Sequence, residues 1–389
     1  MLGKDAKLRN RQRDLRQFLN RFCPDLDKTR RRFFFQALVG ILMSQSLVVS
    51  RWLRWIRDRC QNRFWRHKRL LNQLHSDDWD SQKVLAEYQR QWGTKVQADT
   101  PLILDLCDLA KPRARKLKYL ALVRDGSEDR LVYGYWCVEV YAYWGTGRIT
   151  PLLLHPYSIE DPDTISENAM ILRCSDQVLA ATEGRGVLVM DAGADRDNLL
   201  IPWIDDARRF VVRLRGDRHL VLENGSHIEA KLLAETLLAK AAGCRTAWCK
   251  VFLPERPNRP LYLVCKTLRG RDKPLILLTS LCVESRTGAK HVLQYYRWRW
   301  KCEEAARFLK SQLGMERFAV RTYEAFPRLM LLVSLAMGFL TWEQLSIPTL
   351  AKWLCRKSPG RHEIKFSLYR LLQWFQEQIL PPPPISRPP

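Results

Sequence analysis

Within residues 295–310, "YYRWRWKCEEAARFLK", four polar residues stand at offsets that a helix would turn to one side. At about 100° per residue, Tyr296, Arg299, Glu303 and Lys310 fall in a strip roughly 60° wide. Trp298, Cys302, Ala305, Ala306, Leu309 and Leu313 form a neighbouring apolar stripe suited to burial. Glu304 turns about 80° or more away from the row, which singles out Glu303. The plainer reading is a solvated face with an Arg299–Glu303 pair at i,i+4. Two further acids follow apolar runs: Asp105 closes "LILD" and Asp191 closes "VLVMD". Sheets of α/β proteins place ligands at the carboxyl ends of strands, although strand-end aspartates also serve as turn residues.

The elements needed to bring these residues together are legible in the surrounding pattern. Residues 1–95 interleave basic and apolar residues, as in "RNRQRDLRQFLNRF" and "RRRFFFQALVGILM", with almost no glycine or proline, and predict a helical basic region. Trp52, Trp55 and Trp65 lie among arginines there, a composition suited to DNA backbone contact and stacking as well as to ordinary amphipathic helices. From about residue 100 the texture becomes that of strands: "PLILDLCDLA", "GYWCVEVYAYW", "ITPLLLHPYS", "GVLVMDAGAD" and "RRFVVRLRG". A helical spacing in "ADRDNLLIPWIDDA" between the last two implies a parallel strand–helix–strand unit inside a mixed sheet. Residues 216–280 alternate short strands and turns, with a hairpin signal at Asn224-Gly225 and a possible helix at "KLLAETLLAKAA". Residues 281–360 return to helix, and 361–389 hold a last helix and a proline-rich tail, "PPPPISRPP".

Charge narrows the partners. The 389 residues carry 65 Lys and Arg against 41 Asp and Glu, a net +24, which points to a polyanion. A membrane surface is the other common polyanion. "FFFQALVGILMSQSLVV" is broken by Gln36, Ser44 and Gln45, and "LMLLVSLAMGFL" is shorter than the roughly 20 apolar residues of a span, so both predict buried helices. The first residues lack the apolar core of a secretory signal, so the expected location is the cytosol or the bacterial nucleoid. Eleven cysteines without a CxxC pair predict reduced, mostly buried thiols.

Tyr296-x2-Arg299-x3-Glu303-x6-Lys310 resembles the Y-R-E-K signature of bacterial insertion-sequence DDE transposases, cut-and-paste enzymes with a ribonuclease H-like core. The segments around Asp105 and Asp191 resemble those carrying that family's first and second aspartates, and the likeness spans roughly residues 100–345. The fold it implies is α/β: a ribonuclease H-like mixed sheet flanked by helices, formed by 96–215 and 281–360 and interrupted by a β-rich insertion at 216–280, behind the helical N-terminal domain. It implies Asp105, Asp191 and Glu303 as catalytic metal ligands, with Asp108 as a rival for the first. It implies Tyr296, Arg299, Lys310, Arg213 and Arg215 as DNA contacts. The chain departs from the pattern at Cys107, where the family usually has Ser or Thr, and at Ala192, where it often has Arg.

Three carboxylates at one point repel each other unless cations fill the site, and oxygen-only donors select Mg2+ or Mn2+. Two such ions support in-line displacement at phosphorus. The resemblance implies nicking at transposon ends, a hairpin intermediate and strand transfer into target DNA. The expected partners are double-stranded DNA, as terminal inverted repeats and target, and a second copy of the chain in a homodimer on paired ends, with no membrane. Competing expectations are a ribonuclease H-like nuclease or resolvase, a catalytically idle DNA-binding protein of transposase descent, and a ribonucleoprotein component.

Overall fold

A computed structural model describes residues 4–56, 58, 60–112, 114–125, 129–241, 243–270, 272–320, 322–346 and 368–379. The tail "PPPPISRPP" lies outside them. Five N-terminal helices come first: α1 (Lys4–Phe22), α2 (Lys28–Ser44), α3 (Val49–Trp52), α4 (Arg63–His75) and α5 (Ser81–Gly93). Side-chain caps start three of them, Asp27 on α2, Asn62 on α4 and Asp80 on α5, each accepting from backbone N–H groups of the first turn.

The sheet is built from β1 (Pro101–Ala110), β2 (Ala121–Asp125), β3 (Arg130–Tyr143), β4 (Ile149–Tyr157), β5 (Val187–Met190) and β6 (Phe210–Arg213). Helix α6 (Glu167–Ala181) precedes β5, and α7 (Asp197–Asp205) links β5 to β6. Strands β1, β5 and β6 are parallel, while β3 is antiparallel to β1 and carries β4 on its other flank. That is the expected ribonuclease H-like mixed sheet. Residues 216–280 supply β7 (His219–Val221), β8 (His227–Glu229), α8 (Ala230–Lys240), β9 (Thr246–Leu253), β10 (Arg256–Lys266) and β11 (Leu275–Thr279). The Asn224-Gly225 turn joins β7 to β8, with Gly225 at φ 81°, a left-handed conformation that glycine adopts without steric cost. These strands continue the core sheet: β11 pairs antiparallel with β6, and β10, β9, β7 and β8 follow outward.

Among the described residues three helices follow: α9 (Arg286–Gln312), α10 (Ala325–Ser346) and α11 (Leu368–Ile379). Helix α10 has 22 residues and is apolar enough to cross a bilayer, so the sequence run underestimates its length. It is a core helix, nearly all of it buried. One core cluster runs from Leu15 to Phe375, so the N-terminal helices share it with the sheet, and a second, including Val187, Val211 and Val292, packs α9 on the sheet. The Tyr88 hydroxyl ties α5 to both layers, donating to Pro151 O at 2.8 Å and Ser334 O at 3.1 Å. Trp52 belongs to this interior, fully buried with its indole N–H on Ser46 O. Of Trp52, Trp55 and Trp65 only Trp65 is well exposed, so the aromatic–basic interleaving there is mostly packing.

Candidate active site

Asp105 sits in the middle of β1. The sequence expectation that it ends a strand is corrected, because β1 runs five residues further along β3, in the register Asp105↔Glu139 to Ala110↔Gly134. Pairing with β5 covers only Pro101 to Ile103. Asp105 therefore lies just where β1 and β5 part, at the open end of the parallel pair. Asp191 follows β5 directly, and its Oδ1 accepts from Gly193 N at 2.7 Å. A Cβ on Gly193 would stand 2.9 Å from that oxygen, so glycine leaves the carboxylate room. Beyond it Arg215 spans the turn, with its backbone N on Asp195 Oδ2 at 2.8 Å and its Nε on Ala192 O at 3.2 Å.

Helix α9 packs its apolar stripe on the sheet and brings the other predicted residues in. Arg299 is buried and reaches both Asp105 Oδ2 at 3.7 Å and Glu303 Oε1 at 3.1 Å. One guanidinium thus joins the first predicted carboxylate to the third. The Cys302 thiol donates to the same Asp105 oxygen at 3.0 Å. Burial pushes the Asp105 carboxyl up; Cys302 and Arg299 draw it back, and the negative charge of Asp191 adds to the rise. Glu303 remains partly exposed, open to a ligand from the solvent side. Glu304 turns away and pairs with Lys301 at 2.8 Å.

The other signature residues hold less free positions than a solvated strip implies. Tyr296 is buried against the sheet. Lys310 pairs with Glu316 at 2.8 Å and Asp108 at 3.4 Å, which leaves Asp108 on a lysine rather than beside Asp105's partners. Arg299 lies over the rings of Tyr296 and Trp300, at 5.6 and 4.8 Å. Those rings border a cleft of about 760 Å³ between α9 and the β10–β11 connection. Arg213, Lys266, Arg269, Lys273 and Arg297 line it, with Asp272 as the one acid. Among the described residues none of these five cations is in an ion pair, so the cleft repels itself unless an anion enters.

Residues 150–339 match the family described as Transposase DDE domain. The matched segment holds Asp191, Glu303 and the cleft residues and begins after β1, the strand that carries Asp105. No curated protein sequence matches the chain. Solved structures that resemble the chain include a piggyBac transposase synaptic complex with hairpin DNA, at 13% identity and a TM-score of 0.48, covering 91% of this chain and 72% of that one.

One neighbour of the site escaped the sequence reading. Glu139 lies directly across from Asp105 on β3 and is 1% exposed. Its signal was available: it is the single acid in the apolar and aromatic strand "GYWCVEVYAY". Burial lifts its pKa to about 7, against donated hydrogen bonds from the Cys107 thiol and the Tyr141 hydroxyl.

Proposed function

We propose that the chain is a cut-and-paste transposase that cleaves transposon ends and joins them to target DNA, with Asp105, Asp191 and Glu303 as its catalytic carboxylates. The observation that carries this is Arg299 held between Asp105 and Glu303, since two acids 198 positions apart in sequence converge on one cation. Asp191 leaves the adjacent strand, and its charge is felt at Asp105.

The donor set fits Mg2+ or Mn2+: the three side chains offer oxygen only, and a partly buried Asp105 beside other acids calls for positive charge. Bound as a pair, such ions activate an attacking oxygen and stabilise a leaving one in displacement at phosphorus. Around them the chain's own residues position the reaction. Cys302 and Arg299 orient Asp105, and the Gly193 N–H fixes Asp191. The five cleft cations, Arg213 among them, hold the phosphates of duplex DNA leading to the carboxylates. Arg215 supports the Asp191 turn and contacts DNA from its exposed side. Tyr296 and Lys310 shape the helix face next to the cleaved strand. The reaction series is hydrolytic nicking, attack of the freed 3′-hydroxyl on the opposite strand to give a hairpin, hairpin opening and joining to target, with two copies of the chain on paired ends.

Glu303→Gln tests this. Cleavage of DNA carrying the element's ends should vanish while end binding survives. Nicking at near parental rate in Mg2+ would show the assignment wrong.

A further inference from the structure

Next to Asp105 lies a cluster of different donor chemistry. Cys107 and Cys137 are directly opposed across β1 and β3, and Glu139 is opposite Asp105 one step along the same face. One donor atom from each of Cys107, Cys137 and Glu139 lies within 4.8 Å of the other two. Glu139 is buried, and among the described residues no Lys, Arg or His comes within ion-pair distance of it. Its oxygens accept only from the Cys107 thiol at 3.0 Å and the Tyr141 hydroxyl at 2.9 Å. The nearest cation that acts on it, Lys310, stands beyond ion-pair distance, and a buried carboxylate without a paired cation is costly, so the pocket favours a proton or a metal cation. Two sulfur donors settle which metal class fits: thiolates favour zinc-type ions over the oxygen-seeking Mg2+.

We infer that Cys107, Cys137 and Glu139 form a binding site for a soft divalent cation of the zinc class, distinct from the carboxylate centre. Three protein donors match the number that zinc accepts while keeping a fourth position open. Binding replaces the thiol protons of Cys107 and Cys137, and any proton on Glu139, with one ion, and releases those protons to solvent. The bound ion clamps β1 to β3 two residues from Asp105. Cys302 takes no part, because its thiol is engaged with Asp105. The inference rests on the strand register and not on the transposase reading.

The test uses the full chain with the exposed Cys244 and Cys282 replaced by serine, kept reduced with a phosphine. Titration with Cd2+ should give one thiolate-to-metal charge-transfer signal per chain, with proton release and no displacement by excess Mg2+. Cys107→Ser and Cys137→Ser should each weaken binding by more than the about 10- to 100-fold lost when a mere supporting partner is removed. Glu139→Gln should weaken it while leaving the sulfur signal. Unchanged affinity in both cysteine variants overturns the inference. If those variants fail to fold, zinc-edge X-ray absorption on the unsubstituted chain decides. Two sulfurs at about 2.3 Å with a lighter donor at about 2.0–2.2 Å support the site, and a shell of oxygen and nitrogen alone overturns it.

Discussion

Replacing Arg299 by methionine removes the cation that joins Asp105 to Glu303 and keeps most of the side-chain volume. The arginine side chain is 7% exposed, Asp105 27% and Glu303 42%, so the two arms count differently. Breaking a fully buried pair by deleting one partner costs about 3–5 kcal/mol. The Glu303 arm is solvated and contributes at most about 1 kcal/mol. The Asp105 arm is enclosed but long, at 3.7 Å, which places the total near 2–3 kcal/mol. For a chain of this size that is a fall in Tm of about 2–4 °C in metal-free buffer. Mg2+ should then restore the variant, because the carboxylates no longer share their charge with a guanidinium. A divalent ion at about 100 times its Kd returns about 2.7 kcal/mol. Scanning calorimetry of parent and Arg299→Met, each with and without Mg2+, reads both effects. An unchanged Tm, or an equal Mg2+ gain in both proteins, would refute the argument that Arg299 stands where the acids take a cation.

Other expectations follow from separate features. Arg213→Ala and Arg269→Ala should each lower the slope of log affinity against log salt by about 1 on duplex DNA, and unchanged slopes would remove the cleft from the binding surface. His155 on β4 is held neutral, its pKa lowered to about 4 by burial and by Arg173, whereas in the unfolded chain it titrates near 6.5. Between these values the unfolded state binds more protons, so stability should fall as pH drops through about 6.5 towards 4, by up to about 3 kcal/mol. His155→Gln should flatten that part of a denaturation-versus-pH curve.

Much of the fold was legible because its signals are local. The strand and helix periods, the Asn-Gly turn and the apolar stripe of α9 depend on neighbours in sequence. What escaped depends on neighbours in space. Asp105 reads as a strand end because the apolar run stops there, yet β3 keeps hydrogen-bonding β1 for five more residues. A helical wheel groups Arg299 with Glu303 but cannot say that their strip faces Asp105, so it leaves a buried positioning residue looking like a surface one. Trp52 among arginines resembles a contact surface until α2 closes over it: a Cβ on Gly40 would fall 2.4 Å from its ring. Glu139 was passed over because a strand of aromatic residues draws attention to packing, when its single acid was the informative residue.

On the proposed function, Asp105, Asp191 and Glu303 share divalent ions when DNA is bound. Electron paramagnetic resonance of Mn2+ in the DNA complex measures that directly. Two magnetically coupled ions per chain are expected, with the coupling lost in each of Asp105→Asn, Asp191→Asn and Glu303→Gln. Coupled ions that persist in all three variants, or parental protein that holds none, would contradict it.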